Sequence, residues 1–281
     1  MALGTLYLVG TPIGNLEDMT ARAIKILQQV DLIAAEDTRH TGKLLHCFQI
    51  STPTISYHAH NTQERLPQIL AKLQAGESIA LVSDAGMPGI CDPGTELVRA
   101  CIQQQIQVVP IPGANAAITA LVSSGLDTSS FTFLGFLSQD HSQRRLQLAQ
   151  IKASHLTLVL YEAPHKLLRT LRDLAQILEP ERQLACGREL TKLHEQFWRG
   201  SLSEALGYFA DHNPRGEFTL VIAGRPFTPE QNWSDQDLMQ QLQQLIDQGR
   251  SISQASRELA EALGVSRRHI YQLALATMNS D

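Results

Sequence analysis

Ser83-Asp84-Ala85-Gly86-Met87-Pro88-Gly89 leads through Cys91 and Asp92 to Gly94, directly after the apolar run Ile79-Ala80-Leu81-Val82. An apolar run that breaks into small residues and acids reads as a buried parallel strand ending in a ligand loop, because glycine lets backbone approach a small molecule closely. The pattern recurs. Leu6-Tyr7-Leu8-Val9 enters Gly10-Thr11-Pro12-Ile13-Gly14-Asn15, Leu32-Ile33-Ala34-Ala35 enters Glu36-Asp37-Thr38-Arg39, and Val108-Val109-Pro110-Ile111 enters Pro112-Gly113-Ala114-Asn115. None of these loops has the GxGxxG spacing of a dinucleotide site or the GxxxxGK[ST] of a P-loop, which disfavours an ordinary Rossmann dehydrogenase or an NTPase.

Segments of helical spacing separate these runs. Ala23, Ile26, Leu27 and Val30 form one apolar stripe, and Ile69, Leu70 and Leu73 form another that stops at Gly76. Alternating strands and helices predict a first α/β domain over 1–112, with a parallel sheet whose ligands sit at the carboxyl ends of its strands. A second α/β domain is expected over 113–225, from strand-like runs at 131–134, 156–161, 183–186, 196–198 and 218–223. Several of these have short links, so the second sheet is expected to be mixed. Two prolines and a glycine within 224–230 mark a linker.

Residues 226–281 form that linker and a Gln-rich helical module. Ala260, Gly264 and Ile270 have the spacing of a helix-turn-helix, and Ser266 is placed to cap its second helix. Arg267, Arg268 and His269 then fall in the first turn, where base or phosphate contacts are made. A three-helix packing module without nucleic acid has the same pattern.

Composition sets the outer limits. A chain of 281 residues, 43% hydrophobic and 18% charged, buries its core without staples. Its four cysteines, Cys47, Cys91, Cys101 and Cys186, form no CxxC and suit a reducing cytoplasm. Neither a leader segment nor a membrane span is expected. The net charge of −5 argues against nonspecific coating of nucleic acid, which rests on neutralising phosphates. It leaves room for local patches: Arg182, Arg188, Lys192 and Arg199 form one, Arg267 and Arg268 another, and either reads equally as a solvated charged face. His58 and His60 would share a side of a strand, as metal ligands do, but no acid or cysteine cluster accompanies them, so RNA contact or a polar strand end is favoured and no metal is expected.

Taken together, the blocks at 9–18, 35–39, 83–94, 110–116, 133–137, 161–165, 188–195 and 216–222 resemble the tetrapyrrole methylase superfamily, and within it the branch that methylates small-subunit ribosomal RNA. The resemblance covers nearly the whole chain and includes the terminal helix-turn-helix. It implies S-adenosylmethionine bound between two α/β domains, a homodimer, and methyl transfer to the ribose 2'-hydroxyl of a cytidine in 16S ribosomal RNA, with the assembled small subunit favoured over naked RNA as the acceptor but both open, and with neither membrane nor DNA as partner. Carried over by position, Pro12, the residues Asp84, Ala85, Gly86 and Met87, then Gly113, Ala114 and Asn115, and Tyr161 line the cofactor site. Cys91 stands where the superfamily commonly has serine, which puts one hydrogen bond in doubt.

An alcohol acceptor needs alignment with the donor and either a base or a cation beside the developing alkoxide. The candidates are Glu36, Asp37 and Arg39, then Glu162 and His165, then Arg188, Glu189 and Lys192, with Glu36, Asp37, Arg39 and Lys192 foremost. Each also has a bland role: the 36–39 group as an ion pair capping a helix, His165 as a first-turn residue behind Pro164. Arg188, Lys192, Arg199, Arg267 and Arg268 are the expected RNA contacts. Two other functions remain open: a tetrapyrrole carbon methyltransferase, and a non-enzymatic nucleic-acid-binding regulator that senses a small molecule. The basic terminal module favours RNA over a tetrapyrrole, and the acid and lysine blocks favour an enzyme over a sensor.

Overall fold

The computed structural model describes residues 2–225, 233–263 and 265–278. The 226–230 stretch of the expected linker and Gly264 lie outside the described residues. Two compact units divide the chain, 1–225 and 226–281.

In the first unit, β1 (Thr5–Val9), α1 (Ala21–Gln29), β2 (Leu32–Ala35), α2 (Thr38–Cys47), β3 (Thr54–Ser56), α3 (Thr62–Gln74), β4 (Ile79–Val82), α4 (Thr95–Gln103) and β5 (Gln107–Ile111) alternate as expected. They build a five-stranded parallel sheet of order β3-β2-β4-β1-β5. All four residues of β4 are buried, as a central parallel strand covered on both faces requires. One face packs Ala23, Leu27, Ile33 and Val82, and the other packs Leu6, Ile69, Leu73 and Leu81. β3 was not foreseen, being only three residues and nowhere buried. His58 and His60 lie beyond it in the turn that leads to α3, not on a strand, so the shared-face geometry expected of them is absent.

After β5 the chain crosses to a second sheet through α5 (Ala116–Ser124). The sheet is formed by β6 (Phe131–Phe136), β7 (Thr157–Glu162), β8 (Gln183–Arg188), β9 (Gln196–Ser201) and β10 (Phe218–Ile222), with α6 (His141–Ala153), α7 (Pro164–Ala175) and α8 (Leu202–Asp211) between them. Its order is β6-β7-β10-β8-β9, with β6 parallel to β7 and the remaining pairs antiparallel. This is the mixed sheet anticipated from the short links. α5 covers one face, against Val159, Ala185 and Val221, while the opposite face buries Leu158, Leu160, Leu171, Leu184 and Phe209. Asn115 opens α5 by accepting a hydrogen bond from the Ile118 amide at 3.1 Å, and Gly125 closes it with a φ of +80°, the left-handed geometry that a helix end commonly assigns to glycine.

The second unit is a three-helix module of α9 (Asp235–Asp247), α10 (Ile252–Leu263) and α11 (Arg267–Met278). Leu242, Ala255, Leu259, Ile270 and Ala274 form its core, with Ala260 packed against it. The Ser266 hydroxyl receives the His269 amide at 3.5 Å, so α11 begins where its cap predicts. No helix among the described residues is long and apolar enough to cross a membrane.

Because each unit has its own core, a chain ending at Arg225 should fold cooperatively. Its thermal transition, followed by circular dichroism, is expected to be a single sigmoid with native α/β content. A molten, non-cooperative profile would contradict two independent cores.

Candidate functional site

The loops that leave β1, β4 and β5 are tied to one another at the sheet's carboxyl edge. The Thr11 amide donates to the Gly86 carbonyl at 2.9 Å and the Gly86 amide to the Thr11 carbonyl at 3.1 Å, an isolated antiparallel bridge between two loops 75 residues apart. The Thr11 hydroxyl, itself buried, adds a bond to the Ser83 carbonyl at 3.2 Å. Gly10 meets the third loop directly. A Cβ there would lie 2.7 Å from both the Gly113 Cα and the Met87 sulfur, so glycine is needed on contact grounds. Gly86 is needed for conformation, with a φ of +79°.

These loops form one wall of a cavity of about 440 Å³. Ala85, Gly86, Met87 and Asn115 face it from the first sheet, and Tyr161 faces it from the second. Pro12, Asp84, Gly113 and Ala114 do not line it. Pro12 is buried behind the bridge, and Asp84 receives the Asp37 amide at 3.1 Å, so both shape the wall rather than its surface. Tyr161 packs edge-on against Phe133, with ring centroids 5.0 Å apart, and against Phe136 at 5.6 Å, and burial raises the pKa of its phenol. Ile13, Asp92, Phe136, Leu190 and Glu217 also line the cavity. They had not been singled out, although all five lie within the sequence blocks that suggested a shared ancestry. Gly135, in a bulge of β6, has a φ of +62°, and a Cβ on it would stand 2.8 Å from the Cys91 sulfur. The residue that replaces the usual serine therefore fills the seam between third loop and second sheet.

A second cavity, about 690 Å³, adjoins the first, and Cys91 and Asp92 line both. Glu36, His60 and Glu96 line the second. Glu36 receives the Asp84 amide at 3.3 Å. Asp92 is pushed up to about 6, first by burial and then by the charge of Glu36, which places its proton affinity near the range useful for general-base work.

The other foremost candidates are engaged elsewhere. Asp37 caps α2 by accepting from the amides of Arg39 and His40, and it pairs with the exposed Arg39 guanidinium at 3.0 Å. The side-chain bond from Arg39 and these amides hold its carboxyl at about 2, too weak a base for a hydroxyl proton. This matches the helix-cap role weighed for the 36–39 group. Lys192 lies between Glu189 and Glu217, each 2.9 Å from its ammonium. Burial works against that charge, but the two carboxylates outweigh it and hold the pKa above the usual lysine value, so Lys192 is a cation and not a base. Its stem occupies the space that a Cβ on Gly14 would need, which sets it against the first loop.

The basic patch read from 182–199 does not form one surface. Arg182 is buried, bonded to Glu179 and to the Ala223 carbonyl. Arg188 donates to the Arg215 carbonyl at 2.6 Å, and Arg199 donates to the Ser123 carbonyl at the end of α5 while lying 4.8 Å from the centre of the Phe197 ring. Arg199 thus satisfies a carbonyl that the helix leaves open. Arg267 and Arg268 open α11 as expected, and their side chains lie outside the described residues. His269 pairs with Asp235 of α9 at 2.9 Å.

The family of Tetrapyrrole (Corrin/Porphyrin) Methylases matches residues 5–206. The chain belongs to this family. It is 58% identical over 273 residues to "Ribosomal RNA small subunit methyltransferase I" of Synechocystis sp., covering 97% of this chain and 98% of that protein. Proteins of the same name from Halalkalibacterium halodurans and Bacillus subtilis are 48% and 45% identical, each across 96% of this chain and 94% and 93% of theirs. Among solved structures, uroporphyrin-III-C-methyltransferase from Thermus thermophilus superimposes with a TM-score of 0.54 at 22% identity, over 78% of this chain and 94% of that one. Diphthine synthase does so at 0.61 and 13%, over 78% and 90%. At such identities these two share the fold with this chain. The methylase family match ends within α8, whereas the ribosomal RNA relatives extend across the terminal module as well.

Within this methylase fold, Asp92 carries a testable electrostatic cost. Its pKa is higher in the folded chain than the ordinary 3.8, so the folded state binds more protons between about pH 4 and 6 and loses stability as pH rises through that window. Asp92→Asn should therefore melt at a higher temperature than the parent at pH 7.5, with the gap shrinking towards pH 5. A lower melting temperature for the variant at pH 7.5, or a gap independent of pH, would contradict the burial of this carboxyl.

Proposed function

We propose that the protein transfers the methyl group of S-adenosylmethionine to the ribose 2'-hydroxyl of a cytidine in 16S ribosomal RNA, acting as a homodimer on the assembled small subunit in the cytoplasm. The observation that carries this reading is the identity of 58% over 97% of the chain to a ribosomal RNA small subunit methyltransferase, terminal module included. A tetrapyrrole substrate would leave that module without a role. A sensing regulator would have no use for a carboxyl poised at the junction of two cavities.

The residues present fit the cofactor. A cavity of about 440 Å³ is within the range of nucleoside-sized ligands. Its carboxylates, Asp92, Glu162 and Glu217, and the face of Tyr161 favour a cationic centre such as a sulfonium. Ala85, Gly86, Met87, Asn115 and Tyr161 would hold S-adenosylmethionine at the surface, while Pro12, Asp84, Gly113 and Ala114 fix the loops behind them. When bound, it supplies an electrophilic methyl group on sulfur. The chain's contribution is placement and proton transfer. Apolar walls from Ile13, Met87, Phe136 and Leu190 exclude water, and the second cavity is where the acceptor nucleoside would enter. Asp92, common to both cavities, is the carboxylate we assign to accept the 2'-hydroxyl proton. Glu36 keeps that carboxylate's proton affinity raised, and Lys192 stands as a fixed cation against the first loop. Ile118 and Val122 of α5, 45% and 67% exposed, offer the apolar surface that a second copy would cover. Arg267 and Arg268 are the foremost RNA contacts in this reading, and Arg188, Lys192 and Arg199 join them where a phosphate oxygen replaces the internal acceptor each one holds.

Two measurements test it. Ribose-methylation mapping of 16S ribosomal RNA from a strain lacking the protein should lose one 2'-O-methylcytidine, restored by the wild-type chain and not by Asp92→Asn. An unchanged map would rule the reading out. With isolated small subunits as substrate, kcat/KM should rise with pH to a plateau above about 6, because the carboxylate is the active form. A flat profile in a chemistry-limited assay would assign the proton to another group.

A further inference from the structure

α7 buries Leu167, Leu171 and Leu174, and its other side carries His165, Lys166, Arg169 and Arg172. His165 lines the 440 Å³ cavity, and Arg169 follows one turn later, about 6 Å along the helix. There Arg169 meets α6. Together with His141, Ser142, Arg144, Arg145 and Asp173 it lines a third cavity of about 390 Å³. Three arginines against one aspartate leave a local charge of +2 before His141 is counted, in a chain whose net charge is −5.

The arginines of this cavity have different tasks. Arg144, 7% exposed, gives two bonds to Asp173, at 2.6 and 2.8 Å, and one to the Thr170 hydroxyl at 3.0 Å. Asp173 is thereby neutralised. Arg145 and Arg169 are exposed, and their guanidinium groups make no hydrogen bond or ion pair among the described residues. That sets them apart from Arg182, Arg188, Arg199 and Lys192, whose donors are engaged within the fold. Beneath them, the Thr170 hydroxyl donates to Glu162 at 2.5 Å, and Glu162 lines the cavity we assign to the cofactor. A continuous line of bonds, Arg144 to Thr170 to Glu162, thus links the basic pocket to the reaction cavity.

We propose that the α6–α7 cavity is a phosphodiester subsite, with Arg145 and Arg169 gripping the ribosomal RNA backbone as the acceptor strand runs along α7 past His165 to the reaction cavity. The inference rests on the RNA substrate of the preceding section and adds a binding surface to it. Guanidinium groups suit the task because their forked donors match phosphate oxygens, and two unpaired ones at the mouth of a concave basic site need no partner broken before binding.

The test uses the full-length protein and small ribosomal subunits isolated from a strain lacking it, with affinity measured from about 50 to 300 mM KCl at fixed magnesium. Each lost phosphate contact lowers the slope of log affinity against log salt by roughly 0.7 on a single strand. Arg145→Gln combined with Arg169→Gln should flatten the slope by roughly 1.4 and weaken binding about tenfold or more at low salt, with S-adenosylmethionine affinity by calorimetry unchanged. Both side chains are exposed, so the fold should survive. Arg145→Lys with Arg169→Lys should keep the slope, since charge is retained, while losing part of the affinity. Equal slopes and affinities for the wild type and the glutamine variant would overturn the subsite while leaving the RNA reading intact. A wild-type protein that binds the cofactor but not the subunits would overturn both.

Discussion

The Thr11–Gly86 backbone bridge is the contact on which the site depends. Loops at the carboxyl edge of a parallel sheet are independent excursions unless something ties them, and here two reciprocal amide–carbonyl bonds make the loops after β1 and β4 one surface. Gly10 against Gly113 brings in the loop after β5 at backbone contact distance. Side chains would hold these loops too far apart. The result is a wall made largely of main chain, stiff because its donors and acceptors are mutually satisfied, and shaped before any ligand arrives.

The second sheet completes the cavity by supplying what backbone cannot. Tyr161, Phe136 and Leu190 provide apolar and aromatic surface, and Glu162 and Glu217 provide charge. Lys192 joins the halves from a loop strained at Glu189 and Thr191, whose φ angles are +49° and +66°. Its ammonium is locked between two carboxylates and its stem lies against Gly14. Among the acids the environment sorts the roles. Asp37, bonded by Arg39, cannot hold a proton at neutral pH, whereas Asp92, half-buried and within reach of the charge of Glu36, holds one more readily than an ordinary carboxylate.

Much of the fold was legible because strands inside a parallel sheet are apolar runs, the form of β1, β2 and β4, and because the edge strand β5 keeps Val108, Val109 and Ile111 although Gln107 and Pro110 are exposed. β3, at three half-exposed residues, did not. The loops at the carboxyl edge of the first sheet could be read from their glycines, but which of their residues face the cavity could not. Pro12 and Asp84 turn inward, and Asp92 turns out to matter through a burial that no spacing encodes. The basic residues of 182–199 do not gather on one surface, for a physical reason. Arg182, Arg188 and Arg199 are close in sequence, yet Arg182 before β8, Arg188 at its end and Arg199 within antiparallel β9 reach separate carbonyls and carboxylates. Arg145 and Arg169, 24 positions apart in the sequence, meet only because α6 packs beside α7.

If the bridged loops hold S-adenosylmethionine as proposed, calorimetry on Gly86→Val will register the loss. Valine is disfavoured at a φ of +79°, although its Cβ would only touch the Ala114 carbonyl oxygen and the Ile13 side chain at 3.4 Å, so the substitution strains the backbone at the bridge while both sheets keep their cores. The variant should be a folded protein whose affinity for S-adenosylmethionine falls at least tenfold, about 1.4 kcal/mol. Wild-type affinity in a folded Gly86→Val protein would contradict it and place the cofactor elsewhere.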